Sequence, residues 1–354
     1  MNYLIELTHP KHYYQYRVVI QELKKVASNN VTIIARDKDV LLNILREENV
    51  PYLIYGKHGK SLISKFFILP NLFYTYWKII RKYKVDIIIS KASPYPAILS
   101  MFTKVATIIE PDSEVVKLTN KLVAPRASMI ITPYTYAIDY GKKHKRFQGF
   151  FEDTYLHPKV FLPQKTIIHD LGFNSEEPYF ILRFISWNAN HDLNHFGFSE
   201  SEKIELVNIL KEKGQVYISA EGTLPTEIEK YRIKIPASKI HHALHFATMY
   251  VGDSQSMATE SALLGTPAIR YNSFVGEHDM TNFIVLEKEY DLLRNFNNFS
   301  EVMDCVKEFL SDSYTKQKWL KKRNAYYNKT EDANDVIYKM ILDYKASQKS
   351  SQHN

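Results

Sequence analysis

The chain has a single cysteine, Cys305, among 354 residues. It permits no internal disulfide and no multi-cysteine metal site, and so points to a reducing compartment. Glycine is scarce too, at 11 residues. No Gly-x-Gly-x-x-Gly, no Walker loop and no Gly-x-Ser-x-Gly elbow occurs, which removes support from dinucleotide binding of that type, P-loop chemistry and α/β-hydrolase catalysis. No His-x-x-x-His with a third ligand is present. His241 and His245 have helical i,i+4 spacing without an evident carboxylate partner, so no metal site is expected.

Long apolar runs are also missing. The longest, Leu62–Ile80, is interrupted by Lys65, Pro70, Asn71 and Lys78 and falls short of the roughly 20 residues that span a bilayer. The start of the chain, Met1–Leu7, runs into His9-Pro10-Lys11 before an apolar stretch of signal length develops. A cytoplasmic location is expected, with the inner face of the membrane within reach.

What is present suits a folded protein: 45% hydrophobic and 24% charged residues, too apolar for a disordered chain. At roughly 100–200 residues per domain the length suggests two domains. The charge is uneven between them. Divided after Lys165, beyond the Pro-containing stretch Leu156-His157-Pro158 and Leu162-Pro163, residues 1–165 hold 25 Lys+Arg against 13 Asp+Glu, or +12. The remainder holds 21 against 26, or −5. A basic half is a footprint for an anionic partner: nucleic acid, an anionic membrane face or a phosphate-bearing substrate. Lys142-Lys143-His144-Lys145-Arg146 and Arg81-Lys82-Tyr83-Lys84 supply it, with a solvated lysine-rich surface as the alternative. No compact recognition helix or RNA-binding motif accompanies them, which disfavours nucleic acid.

Short β-branched runs alternate with helical patterns: Tyr3–Leu7, Val31–Arg36, Tyr52–Tyr55, Asp86–Ser90, Thr107–Glu110 and Met129–Thr132, then Tyr179–Arg183, Gln215–Ser219, Met249–Gly252 and Ala268–Tyr271. Most are continuously apolar, as parallel strands covered on both faces require. The fold class is therefore α/β, with two doubly wound domains. Ser199-Glu200-Ser201-Glu202 forms a capping box ahead of a helix whose face is Ile204, Val207 and Leu210 and whose close is Gly214. Residues 314–345 read as one or two helices that pack back on the first domain, and the polar tail 346–354 as disordered. The aromatic, basic helix from Leu62 to Lys84 is expected to pack in the core, with a membrane-surface placement as the alternative.

The segment from Met249 to Ile269 is the most informative. A strand ends at Val251-Gly252, a polar turn Asp253–Ser256 follows, and a small-residue helix runs on until Gly265 stops it. Free N–H groups and the macrodipole favour an anion there, and Ser254 and Ser256 add hydroxyl donors. Glu260 lies one turn deeper on the same helical face, where a carboxylate can accept from both hydroxyls of a ribose. The plain alternative is a capped helix with a solvated Glu260. Arg183, at the end of a strand, is placed to neutralise charge on a leaving diphosphate, with an ion pair to a nearby carboxylate as the alternative. Ser186, His191 and Asp192 follow it as site lining. In the first half, His9 follows the first strand, and Asp112 and Glu114 follow the fifth. Either His9 or Asp112 could act as general base toward an acceptor hydroxyl, with Glu152 and Lys91 as weaker candidates.

The run Asp253-Ser-Gln-Ser-Met-Ala-Thr-Glu260-Ser-Ala262, followed by Leu264-Gly265-Thr266-Pro267, resembles the nucleotide-sugar signature of GT-B enzymes, the two-domain glycosyltransferases and UDP-N-acetylglucosamine 2-epimerases. The whole chain is similar to the DUF354 family of bacterial and archaeal GT-B-like proteins. The likeness extends from residue 3 to about 290 through Glu110-Pro111-Asp112-Ser113-Glu114, Thr132-Pro133, Gly149-Phe150-Phe151-Glu152 and Arg183 with Ala189-Asn190-His191-Asp192. It implies two Rossmann-like domains facing a cleft, an acceptor-side domain over 1–165 and a nucleotide-sugar domain over 166–313. Ser254, Gln255 and Ser256 would hold the diphosphate, Glu260 the ribose, and the stretch around His242 would approach the base. The first strand ends in Leu7-Thr8-His9-Pro10 without the Gly-rich loop common among glycosyltransferases.

The expected function is a metal-independent glycosyltransferase that uses a nucleotide-diphosphate sugar as substrate and needs no cofactor. It would serve bacterial surface polysaccharide or glycoconjugate synthesis, with an anionic glycan or lipid-linked acceptor and a peripheral membrane contact. The alternatives are a nucleotide-sugar 2-epimerase and a non-enzymatic basic binding protein.

Overall fold

The computed structural model describes the chain apart from residues 38, 58–61, 115, 175, 187–195, 277–278 and 351–354. Two compact units divide it: unit 1 is Met1–Tyr155 with Glu331–Asn354, and unit 2 is Leu156–Thr330. The division falls ahead of Lys165 because the Pro-containing stretch is fastened within unit 2. There the Gln164 N–H donates to Nδ1 of His242 at 3.1 Å and the Phe161 ring lies 4.8 Å from the His242 ring.

Unit 1 is built on a seven-stranded parallel sheet of β1 (Asn2–Leu7), β2 (Asn30–Asp37), β3 (Leu53–Lys57), β4 (Ile87–Ser90), β5 (Ala106–Ile109), β6 (Met129–Pro133) and β7 (His144–Phe147). The spatial order is β3-β2-β1-β4-β5-β6-β7. Unit 2 has five parallel strands, β8 (Tyr179–Phe184), β9 (Gln215–Ala220), β10 (Met249–Gly252), β11 (Ala268–Tyr271) and β12 (Leu293–Phe296), in the order β12-β11-β10-β8-β9. Each order reverses at one place, between β1 and β4 in the first sheet and between β8 and β10 in the second. Doubly wound sheets open their ligand crevice at that reversal, outside the carboxyl ends of the strands.

Continuous apolar runs become central strands: β4 and β10 are buried along their whole length. The two strands that the apolar-run rule does not find, β7 and β12, sit at sheet edges. β7 is the basic sequence His-Lys-Arg-Phe, whose middle residues are exposed, so an edge position tolerates charge that a central strand would exclude. Helix Leu62–Lys82 is core-packed, with Leu72, Tyr76, Ile79 and Ile80 against Leu4, Ile34 and Ile88, while Tyr74 and Trp77 face solvent.

The capping box on helix Glu200–Leu210 forms as expected, with the Glu202 N–H donating to Ser199 Oγ and the Ser199 N–H to Glu202 Oε2 at 2.7 Å. Its buried face is Leu206, Val207 and Leu210 rather than one that includes Ile204. Gly214 does not stop that helix by a left-handed turn. A Cβ there would stand 2.2 Å from the Pro178 carbonyl oxygen, so glycine allows the strand to approach. Gly265 does close its helix, at φ +76°, where a side chain is strained.

Helix Thr315–Tyr327 lies in unit 2 and helix Ala333–Ser350 in unit 1. The second helix extends through most of the tail expected to be disordered, leaving only 351–354 outside the described residues. It is fastened to unit 1 by Asn334, which donates to the Thr154 carbonyl at 3.0 Å, and by buried Ile337 and Ile341. Ile341→Ala is expected to cost about 3 kcal/mol, because it empties a fully enclosed site. Urea denaturation should show an earlier transition with an unchanged slope.

Candidate functional site

At the reversal of the unit 2 sheet, β10 delivers Asp253 and Ser254. Asp253 is fully buried and accepts from the Ile185 N–H at 2.8 Å, while its own N–H donates to the Arg183 carbonyl at 3.1 Å. Asn272, just past β11, donates to the Asp253 carbonyl at 3.3 Å. Three adjacent strand ends are thereby joined at one residue. Gly252 makes the turn possible, since a Cβ would stand 2.6 Å from the Arg183 carbonyl oxygen.

Ser254 caps helix Gln255–Leu263, its Oγ accepting from the Met257 N–H at 3.5 Å. Ser254 and Gln255 are partly exposed and Ser256 is exposed, so the turn is open to solvent. At the first two helical positions, Gln255 and Ser256, the N–H groups have no intrahelical acceptor and point outward from the helix start. Together with the macrodipole they form a ready anion cradle.

Glu260 is buried rather than solvated, at 8% exposure. Its Oε1 lies 3.3 Å from Nε2 of His241 on helix Ile240–Phe246. The carboxylate partner that the histidine run lacked in sequence therefore arrives from another helix. His242 turns elsewhere. Its Nδ1 receives the Gln164 N–H, and burial lowers its pKa, so it fastens the first stretch of unit 2 as a neutral ring.

Arg183 donates from Nη1 to Ser219 Oγ at 2.7 Å and pairs through Nη2 with Glu221. The Ser186 N–H donates to the other oxygen of Glu221 at 3.2 Å. The ion-pair alternative for Arg183 is thus formed. Glu221, which the sequence reading did not single out, occupies two groups suited to an anionic ligand. His191 and Asp192 lie outside the described residues.

In unit 1 the reversal between β1 and β4 gathers a second set of groups. Lys91, just after β4, lies 3.1 Å from Glu110 Oε2 and 3.0 Å from Asp112 Oδ1, with its ammonium over the Phe151 ring at 3.6 Å. Lys11 lies 2.7 Å from Glu152 Oε1. His12, not His9, stands beside Asp112, with Nε2 and Oδ2 3.8 Å apart. His12 Nδ1 receives the Thr8 N–H at 3.3 Å, which places the proton of the neutral ring on Nε2, facing the carboxylate. His9 is the cap of helix Pro10–Lys25, its Nδ1 accepting from the Lys11 N–H at 3.2 Å. Helical spacing from His9 was the signal that could have found His12.

Burial pushes the Asp112 carboxyl up, but Lys91, Lys11 and His12 outweigh it and hold it at about 2. Burial pushes the Glu110 carboxyl up, against the pull of Lys91. Burial likewise raises Glu6, which accepts from Tyr55 Oη at 2.5 Å and Ser93 Oγ at 3.1 Å. Asp112 is therefore an anion across the ordinary pH range, able to orient a hydroxyl and to take its proton only once that oxygen has gained positive charge, while Glu110 is shifted upward. Among the described residues no group of three or more His, Cys, Asp or Glu is disposed to hold a metal ion.

The chain belongs to the family described as protein of unknown function, DUF354, whose profile matches residues 1–346. Among curated proteins none matches it by sequence. Solved structures match it in fold. It is similar to UDP-GlcNAc 2-epimerase from Neisseria meningitidis bound to UDP-GlcNAc, at 10% identity and a TM-score of 0.67, covering 98% of this chain and 100% of that one. It is also similar to UDP-GlcNAc 2-epimerase from Methanocaldococcus jannaschii, at 13% identity and a TM-score of 0.64, covering 88% and 94%. A spinosyn rhamnosyltransferase complexed with spinosyn aglycone matches at 10% identity and a TM-score of 0.61, covering 96% and 100%. At these identities the likeness establishes the fold, α/β of the GT-B type.

Burial holds both His12 and His245 neutral, at about 3 against an ordinary value of 6.5. Below 6.5 the unfolded chain takes up protons at these rings while the folded chain does not until about 3, so acid favours unfolding throughout that window. Stability should fall with pH there by up to about 1.4 kcal/mol per pH unit for each ring. Denaturant titrations across the window should show the slope, and His12→Gln should remove its share.

Proposed function

We propose that this protein is a glycosyltransferase that binds a nucleotide-diphosphate sugar in unit 2. The observation that carries the reading is the solvent-open turn Ser254–Ser256 at the strand reversal, with the buried carboxylate of Glu260 one helical turn behind it. The diphosphate sits against the N–H groups of Gln255 and Ser256 and the hydroxyls of Ser254 and Ser256. Glu260, oriented by His241, accepts from the ribose hydroxyls.

In the reaction the bond between the anomeric carbon and the diphosphate oxygen breaks, and the electron pair leaves with the diphosphate. The helix start and Arg183, released from Glu221, stabilise the developing charge, so the positive field comes from protein groups. The acceptor hydroxyl forms the new bond, and its proton passes to a carboxylate base. Asp112, ionised and partly exposed, orients that hydroxyl and takes the proton as the oxygen gains positive charge; the capping duty of His9 makes it the lesser candidate. An anionic glycan or lipid-linked acceptor of surface polysaccharide or glycoconjugate synthesis suits the basic charge of unit 1.

A second reading, a 2-epimerase acting on the same nucleotide sugar, is favoured by the carboxylates Glu110, Asp112 and Glu152 held around Lys91 and Lys11. It requires proton exchange at the sugar C2 and no acceptor. Proton NMR of the nucleotide sugar in deuterated water separates the two: deuterium entering C2 without an acceptor selects the epimerase.

Thermal shift against uridine, cytidine and guanosine diphosphates should identify one that stabilises the chain. Glu260→Ala should weaken that ligand by about tenfold to a hundredfold, since hydrogen bonds to a charged group are lost. Glu260→Gln, which keeps the volume, should weaken it less. Unchanged affinity in both variants would overturn the site. Glu221→Gln, which frees Arg183 and the Ser186 N–H, should tighten diphosphate binding.

A further inference from the structure

Strands β4, β5, β6 and β7 are neighbours in that order and run parallel, so the loops that enter them share one edge of the unit 1 sheet. This edge is opposite the carboxyl ends that carry Lys91 and Asp112. The entering loops are basic: Lys84 precedes β4, Lys104 precedes β5, Arg126 precedes β6, and Lys142 and Lys143 precede β7. The acidic groups alongside are Asp86, whose carboxylate receives the Asn2 N–H at 2.8 Å, and Asp139, which faces Gly141 and His144. Unit 1 as a whole holds 26 Lys+Arg and 17 Asp+Glu, or +9.

Large apolar side chains stand on the same edge. Phe102, 78% exposed, and Met101, 59% exposed, occupy the loop ahead of β5. Trp77, 40% exposed, lies with its ring 5.4 Å from the Arg81 guanidinium. A groove of about 590 Å³ is lined by Trp77, Arg81, Lys84, Phe102, Lys104 and Tyr344. Further along, Ala124, Pro125, Ile138 and Tyr140 line a second, apolar hollow of about 490 Å³ whose rim carries Lys121 and Lys143. Four loop ends spaced by the roughly 4.8 Å of neighbouring strands bring these groups into one row. Cations interleaved with exposed aromatic and thioether groups match a surface that is anionic outside and apolar just beneath. A nucleic-acid duplex would present phosphates and sugars to this edge and give Phe102 and Met101 no apolar layer to enter.

We propose that this edge docks unit 1 on an anionic lipid bilayer, with Phe102 and Met101 entering the headgroup layer and Arg81, Lys84, Lys104 and Arg126 pairing with lipid phosphates. The surface is distinct from the nucleotide site and does not rest on the reading of it.

The test is sedimentation of the full chain with vesicles of phosphatidylcholine alone and of phosphatidylcholine mixed with phosphatidylglycerol. Retention is expected on the mixed vesicles only, with a blue shift of tryptophan emission that disappears in Trp77→Phe. Phe102→Asp, and separately Lys84→Glu with Lys104→Glu, should each reduce retention by about tenfold or more at an unchanged melting temperature. The proposal is overturned by absence of retention on mixed vesicles, by equal retention on neutral ones, by variants that bind as well as the parent, or by a blue shift that survives in Trp77→Phe. Binding of poly(U) by the parent and Phe102→Asp alike, with no competition from vesicles, assigns the basic edge to nucleic acid and overturns it too.

Discussion

The hydrogen bond from the Ile185 N–H to the buried Asp253 carboxylate, 2.8 Å long, holds the end of β8 against the end of β10. At this place the unit 2 sheet reverses its winding, and the helices after the two strands leave on opposite faces. Nothing in the ladder itself joins the chain beyond the last paired residues, Arg183 and Gly252. Asp253 makes the join with its side chain, its N–H to the Arg183 carbonyl and its carbonyl to Asn272. The opening of helix Gln255–Leu263 and the departure of Ser186 are set by that one buried carboxylate. Leaving the Ile185 N–H without it would cost about 1–3 kcal/mol and, more to the point, would release the geometry of the turn.

Unit 1 solves a different problem, that of keeping ions inside a doubly covered sheet. Glu6 lies next to the last residue of a largely apolar strand, and Glu110 follows another. A buried carboxylate is tolerated when donors surround it, and here Tyr55 and Ser93 serve Glu6 while Lys91 serves Glu110. Lys91 is itself buried, and the Phe151 ring supplies a face that stabilises its charge. The arrangement is expensive if built only for stability, because apolar residues of the same size would fill the space without desolvated charge. Its position at the carboxyl ends of β4 and β5 fits an arrangement retained for chemistry.

Much of this was visible in the sequence where backbone physics dictates it. Central strands read as apolar runs because both faces are covered, and the turn after β10 reads as an anion cradle because strand, polar bend and small-residue helix follow in order. Side-chain partnerships between distant segments were not legible. Glu260 finds His241 and Arg183 finds Glu221 only after separate helices and strands assemble. The sequence singled out His9 after the first strand and passed over His12; the structure spends His9 on the helix cap and turns His12 toward Asp112. β7 was hidden because its basic residues describe a surface, and an edge strand is both surface and ladder.

A parallel sheet has an intrinsic polarity that an antiparallel sheet lacks: every strand presents its amino end to one edge and its carboxyl end to the other. In unit 1 the two edges have taken opposite characters. The carboxyl edge concentrates charge that is paired, in Glu110, Asp112 and Lys91, beside the neutral ring of His12. The amino edge concentrates positive charge near few acids, beside exposed aromatic rings. Because both edges belong to one rigid sheet, a protein held by its amino edge keeps its carboxyl edge turned away from whatever holds it. The connectivity that lets each strand be covered on both faces therefore also gives a single unit two chemically different edges, without a hinge or an added domain.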